Sequence, residues 1–259
     1  MGAAAAVKRM LYRTLSLDMY LRVVSRMFFL CYETGLGRMS EAFEYPYFLK
    51  NLVSEDDTVI DIGANLGYYS YVFVRIAWHG HVYAVEPVPQ ICRVLRRNLR
   101  GAENVTIYNC ALGAEDKKIV MGNDSAAQSG YLGTGRNFVI DGVNTSRTHA
   151  GVEFDASMRR GSELFGSLEK LDFIKCDIEG YEVAAIPEMA SVIERHRPTV
   201  LIETGGDKRA VMVDFFTRRG YAGYTLCRGR LVPLRGDDDK DIVFIHDSRR
   251  ERFSHLLPL

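Results

Sequence analysis

Cysteine is scarce in this chain and badly spaced for a scaffold. Its 259 residues hold five, Cys31, Cys92, Cys110, Cys176 and Cys227, with no C-x-x-C pair. An odd, scattered set argues against a disulfide framework and a structural zinc site, and reads as reduced core thiols in a cytosolic protein. A charge of one sign is missing too: Lys plus Arg number 33, and so do Asp plus Glu. No overall field draws the chain to nucleic acid, and no such partner is expected. Long apolar runs are also lacking; no stretch of about 18 apolar residues exists to span a bilayer. Asp18, Arg22 and Arg26 break up the N-terminal apolar stretch, so a secretory signal is not expected either. What remains is ordinary globular composition, 47% hydrophobic and 25% charged, in a chain long enough to bury a sizeable core.

The first 55 residues read as a helical extension. Gly2 to Ala6 is small and featureless; beyond it Leu17, Tyr20, Leu21, Val24, Met27, Phe28 and Cys31 recur at helical spacing. Residues 1–40 carry six basic side chains against two acidic ones. Such a helix is able to lie on an anionic membrane, but packing on its own domain is the default. Peripheral membrane contact is therefore admitted and not favoured.

Residues 56–247 alternate strand-like and helix-like segments, followed by a tail over 248–259. Apolar runs at 58–62, 81–85, 105–108, 171–176, 198–202, 221–227 and 241–245 predict strands, and 68–77, 89–99, 182–195 and 208–218 predict helices. Continuous apolar strands between helices imply a doubly wound, Rossmann-like α/β fold with a mostly parallel sheet covered on both faces. One stretch breaks the rhythm: 122–151 is rich in Gly, Ser, Asn and Thr, an insertion that reads equally as a lid or a flexible loop. His79 and His81 flank a glycine and read as solvated; His149 borders the insertion and is weighed as a base. An acidic turn, Asp237 to Asp239, precedes the closing strand.

Ligands of open α/β sheets bind beyond the carboxyl ends of the strands. Four such ends here are acidic or glycine-rich: Asp61 with Gly63 and Gly67, then Glu86, then Asp177 with Glu179 and Gly180, and finally Glu203. Buried carboxylates at several strand ends are costly unless they bind something. The first loop, Asp61-Ile-Gly63-Ala-Asn65-Leu-Gly67, is not the G-x-G-x-x-G of a dinucleotide site, because Asn65 stands where the second glycine belongs. An acidic loop suits a sulfonium or ammonium better than a phosphate. Glu86, ending the next strand, is placed to accept hydrogen bonds from a ribose diol. A cationic amino acid, a ribose and adenine without phosphate describe S-adenosylmethionine.

Val59-Ile-Asp61-Ile-Gly63-Ala-Asn65-Leu-Gly67-Tyr68-Tyr69, Tyr83-Ala-Val-Glu86-Pro87, Ala111-Leu112-Gly113 and Phe173-Ile-Lys175-Cys-Asp177-Ile-Glu179-Gly180-Tyr-Glu182 together resemble the FkbM-like class I methyltransferases. The upstream Tyr45-Pro46-Tyr47-Phe48-Leu49 also looks like bacterial members. The resemblance implies a seven-stranded sheet with its last strand antiparallel, S-adenosylmethionine as donor, and transfer to a hydroxyl of a saccharide, glycan or other hydroxylated metabolite. In that frame Asp61 organises the methionine end of the donor through loop amides or a water. Gly63, Asn65 and Gly67 let the backbone approach, Glu86 with Pro87 holds the ribose, and Asn109 to Ala111 lie beside adenine. Asp177 or Glu179 takes the acceptor's proton, steered by Lys175. Glu182 reads instead as a cap on the following helix.

Three rival readings compete. Asp177, Glu179 and Glu203 are weighed as ligands of a divalent cation, but no tight ligand spacing supports one, and no metal is expected. A nicotinamide-dependent oxidoreductase is disfavoured by the acidic loop. A non-catalytic module binding a membrane surface or a partner rests on the basic N-terminal helix alone.

Overall fold

The β-branched run Thr58–Ile62 does form a strand, and the same is true of each apolar run read above. The computed structural model describes residues 3–141, 151–235 and 241–257. The acidic turn 237–239 and His149 lie outside them. Among the described residues twelve strands form: β1 (Thr58–Ile62), β2 (His81–Val85), β3 (Val105–Tyr108), β4 (Ala111–Leu112), β5 (Lys117–Asn123), β6 (Asn137–Val139), β7 (Val152–Arg159), β8 (Phe173–Cys176), β9 (Thr199–Glu203), β10 (Tyr221–Cys227), β11 (Arg230–Pro233) and β12 (Asp241–His246).

Eight of them make the main sheet, in the order β11-β10-β12-β9-β8-β1-β2-β3. β3, β2, β1, β8 and β9 are parallel, and β12 inserts antiparallel between β9 and β10. The last strand is thus antiparallel, as the resemblance implied. The sheet has one strand more than the expected seven, because Arg230–Pro233 folds back on β10 as an edge hairpin.

Alternate residues along each strand feed the two faces. Val59, Val82, Phe173, Leu201 and Val243 pack on one side with Phe73 of the helix Ser70–Ile76. Ile60, Ile174, Val200 and Phe244 pack on the other with Ile186, Ile193 and Phe216. The single helix expected to run to Arg195 is two, Glu182–Glu188 and Ala190–His196, with Pro187 in the last turn of the first.

A second, four-stranded sheet, β4-β7-β5-β6, was not foreseen. From the 122–151 segment it takes Gly122, Asn123 and Asn137–Val139, and the same segment forms the short helix Ser125–Ser129. Its Gly, Ser and Asn residues form a buried polar knot. Asn123 donates to the carbonyl of Gly133 and to Asn137 Oδ1, and Ser125 Oγ accepts from the Gly133 amide.

The N-terminal extension begins with α1 (Ala3–Thr14), where the sequence looked featureless, and continues with α2 (Leu17–Glu33). Ser16 caps α2 by accepting from the Met19 amide. Tyr20 and Leu21 bury against Leu66, Val88 and Ile91 of the main domain and Leu132 of the insertion. At the other terminus Phe253, Leu256 and Leu257 bury in the core, and Arg252 pairs with Asp57 at 2.6 Å. Among the described residues no helix is long and apolar enough to cross a membrane. The cysteines all carry free thiols, but the core reading holds only for Cys92, Cys110 and Cys176; Cys31 is half-buried and Cys227 exposed. His81 is half-buried rather than solvated, with Nε2 2.9 Å from Thr106 Oγ1.

Candidate active site

β1 and β8 are neighbours, and the chain leaves both at the same end of the sheet. The Asp177 amide donates to the Ile62 carbonyl, which brings the two following loops together. Gly63, with φ +79°, permits this: a Cβ there would stand 1.9 Å from the Asp177 carbonyl oxygen. Asn65 also takes a positive φ, which asparagine tolerates better than most residues.

The loop spends its own amides. Gly63 and Ala64 donate to the Val85 carbonyl, Asn65 to Glu86 Oε2, Leu66 to the Asn65 side chain, and Gly67 to the Ala64 carbonyl. The amide route expected for Asp61 is therefore closed. A diphosphate would find no cradle of free N–H groups here either.

Glu86 is almost wholly buried. One oxygen accepts from Asn65 and the other from the Val88 amide, each at 2.9 Å. Burial pushes its carboxyl up to about 7, against the pull of those two amides. Asn109 does not reach the cleft as expected; its amide donates to the carbonyls of Glu86 and Pro87 and braces that turn from behind.

Asp61 is fully buried and accepts from Ser70 Oγ at 2.5 Å, while its other oxygen has no hydrogen-bond partner. Burial raises its proton affinity above the ordinary carboxylate range. Lys175 lies between carboxylates, its Nζ 3.4 Å from Asp177 Oδ2 and 3.8 Å from Asp61 Oδ1, and over the ring of Tyr69. Burial alone would push the ammonium down; Asp177 and Asp61 outweigh it and hold the lysine charged. Steering of Asp177 by Lys175 has the contact it needs. Glu182, read from sequence as a helix cap, begins its helix without capping it; one oxygen accepts instead from the amides of Ile178 and Gly180 and ties down the loop before the helix. Glu203, at the end of β9, is pushed up to about 7 by burial and then by the charges of Asp177, Asp241 and Glu179. Among the described residues no group of three or more His, Cys, Asp or Glu is arranged to hold a metal ion.

These loops line a cleft beyond the carboxyl ends of β1, β2 and β8. Gly63, Asn65, Glu86, Pro87, Ala111, Asp177 and Glu179 line it, whereas Asp61, Gly67, Asn109 and Lys175 do not. The opposite wall is formed by Met121, Asn137 and Val139 of the second sheet, the turn residues Thr134 and Gly135, and Tyr181; the sequence reading weighed the 122–151 insertion as a lid but placed none of these residues at the site. Tyr181 is held there by donating to Asp141 at 2.8 Å. Among the described residues the lining contains three carboxylates, Glu86, Asp177 and Glu179, and no lysine, arginine or histidine.

Solved structures with a similar chain path include the methyltransferase FkbM from Methylobacillus flagellatus, 16% identical with a TM-score of 0.48 over 74% of this chain. This chain covers 44% of that longer protein. Aeropyrum pernix fibrillarin, solved with natively bound S-adenosyl-L-methionine, is 15% identical (TM-score 0.41, 77% of this chain and 72% of that one). An S-adenosylmethionine-dependent O-methyltransferase from Thermotoga maritima is 12% identical (TM-score 0.42, 78% and 63%). No curated protein matches in sequence. The methyltransferase FkbM domain matches residues 61–222, from the acidic end of β1 through both cleft loops into β10. With most of its length inside that match, the chain belongs to the FkbM methyltransferase family.

Proposed function

We propose that the cleft binds S-adenosylmethionine and that the protein methylates a hydroxyl of a saccharide, glycan or other hydroxylated metabolite. One observation carries the donor assignment. Every amide from Gly63 to Gly67 is already bonded within the protein, and the charge left facing the cleft is negative. That arrangement repels a dinucleotide's phosphates and attracts a sulfonium. When bound, the cofactor supplies a methyl group already activated by positive sulfur.

The residues then divide the work. Glu86 keeps lone pairs for ribose hydroxyls, since each of its oxygens has accepted one backbone hydrogen bond. Leu112, Met121 and Val139 offer apolar surface to adenine beside Ala111. Asp61 stays outside the cleft and acts through Lys175. Asp177, 31% exposed at the cleft, is the base for the acceptor hydroxyl, with Glu179 beside it. Positioning an acceptor oxygen in line with the methyl is the main remaining demand. The free thiols fit a reducing, cytoplasmic setting.

Calorimetry with S-adenosylmethionine, its demethylated product and NAD tests the donor. Binding of the first two and not of NAD is expected; binding of NAD alone would overturn the proposal. Labelled donor with a panel of hydroxylated compounds then tests the acceptor class.

A further inference from the structure

α2 has two apolar faces, and only one is used. Leu21, Ser25 and Phe29 face the domain. Met19, Val23, Met27 and Leu30 follow one another at steps of four, four and three on the opposite side. Met27 is 50% and Leu30 58% exposed, and the next turn adds Leu36 and Met39, the latter 97% exposed. Of the nine large hydrophobic side chains exposed among the described residues, seven lie before residue 40, with Val7 and Met10 of α1 among them. Single exposed apolar residues need no explanation, but such a concentration marks an interaction surface.

The charge on this segment chooses the partner. Residues 1–40 hold Lys8, Arg9, Arg13, Arg22, Arg26 and Arg38 against Asp18 and Glu33, an excess of four; the neutral total leaves the rest of the chain acidic by the same amount. Both acids are already paired, Asp18 with Arg22 and Glu33 with Arg75. Arg22 and Arg26 run along one margin of the exposed stripe. An apolar stripe bordered by arginines is the pattern of a helix lying in a membrane interface. A second copy would bring the same positive charge against this face, which opposes pairing.

We propose that the outer face of α2, with the turn Leu36–Met39, docks the protein on an anionic phospholipid surface. Apolar side chains enter the headgroup boundary while the arginines contact lipid phosphates. The inner face keeps its contact with Leu66 and Leu132, so docking needs no unfolding of the extension. This surface is separate from the donor cleft, and the proposal does not rest on methyl transfer.

Flotation of the full chain with vesicles tests it. Phosphatidylcholine mixed with phosphatidylglycerol is expected to carry the protein, and pure phosphatidylcholine is not. M27E/L30E is expected to weaken partitioning about tenfold or more, and R13E/R26E to weaken it and flatten its salt dependence. All four side chains are exposed, so the thermal midpoint stays unchanged, which separates lost docking from lost folding. No flotation with anionic vesicles, or flotation indifferent to both pairs, overturns the proposal. So does light scattering that finds a dimer dissolved by M27E/L30E, because the stripe would then be a subunit interface.

Discussion

The Cα of Gly63 faces the carbonyl of Asp177 so closely that a β-carbon would stand 1.9 Å from that oxygen. The donor loop and the loop of the proposed base are thus one packed unit. Gly63→Ala is expected to cost about 3 kcal/mol or more, because it adds a clash with backbone to a positive φ. Gly205→Ala, with nothing within 4 Å of its added carbon, serves as the control and should be near neutral. Thermal unfolding of the two variants measures the difference, and donor affinity should fall with the first alone.

Glu86 makes stability depend on pH. Its carboxyl rises from 4.5 to about 7 in the folded protein because burial disfavours the charge. The folded state therefore holds this proton more tightly than the unfolded chain. The resulting stabilisation is complete below pH 4.5, declines as the pH rises, and is gone above about 7. The span is on the order of 3 kcal/mol. Glu86→Gln should flatten that slope in urea titrations across the window. It should also weaken donor binding, since the amide NH2 of glutamine would oppose either the Asn65 or the Val88 N–H.

Asp177→Asn should leave donor binding intact and slow transfer by about 10²–10⁴-fold, the usual contribution of a positioned base. A rate that does not change removes Asp177 from the role. Partial burial, added to by the charges of Asp177, Asp241 and Glu179, pushes the Glu203 carboxyl up to about 7, so its ionisation adds negative charge near the base. The rate is expected to climb as the pH passes about 7, and Glu203→Gln should remove that inflection in a pH profile. Lys175→Met has a different signature. It strips the cation from between two carboxylates, one fully buried, and should cost about 3–5 kcal/mol of stability.

The main sheet was legible because parallel, doubly covered strands write themselves as unbroken apolar runs: Thr58–Ile62, His81–Val85 and Val105–Tyr108 appear with the bounds the sequence suggests. The acidic strand ends were legible for the complementary reason, that charge at the close of a buried strand is conspicuous. The second sheet was not. Asn123, Ser125 and Asn137 look like loop residues by composition, yet they are polar because they satisfy one another inside the protein. A usable signal did exist in β7, where Phe154 and Met158 are buried between exposed Glu153, Asp155 and Arg159 at a period of two. Asn109 shows a different limit. Its position beside the cleft follows from topology, but whether its side chain faces ligand or braces a turn depends on which carbonyls lie in reach.

The missed wall yields one more expectation. Tyr20 of α2 donates its hydroxyl to the Leu132 carbonyl at 2.9 Å, in a fully buried setting. That bond ties the N-terminal helix to the segment whose Thr134, Gly135 and Asn137 face the donor loop. Tyr20→Phe keeps the ring and its edge contact with Tyr12, and leaves the carbonyl unpaired. A loss of about 1–3 kcal/mol follows from one buried, unsatisfied acceptor. Because α2 and the insertion share that bond, the loss should fall on local opening rather than on the main sheet. Amide exchange should accelerate from residue 130 to 139 while β1 and β8 keep their protection, and donor affinity should weaken with it. Uniform acceleration across the chain would show instead that α2 supports the whole domain and does not specifically brace the cleft wall.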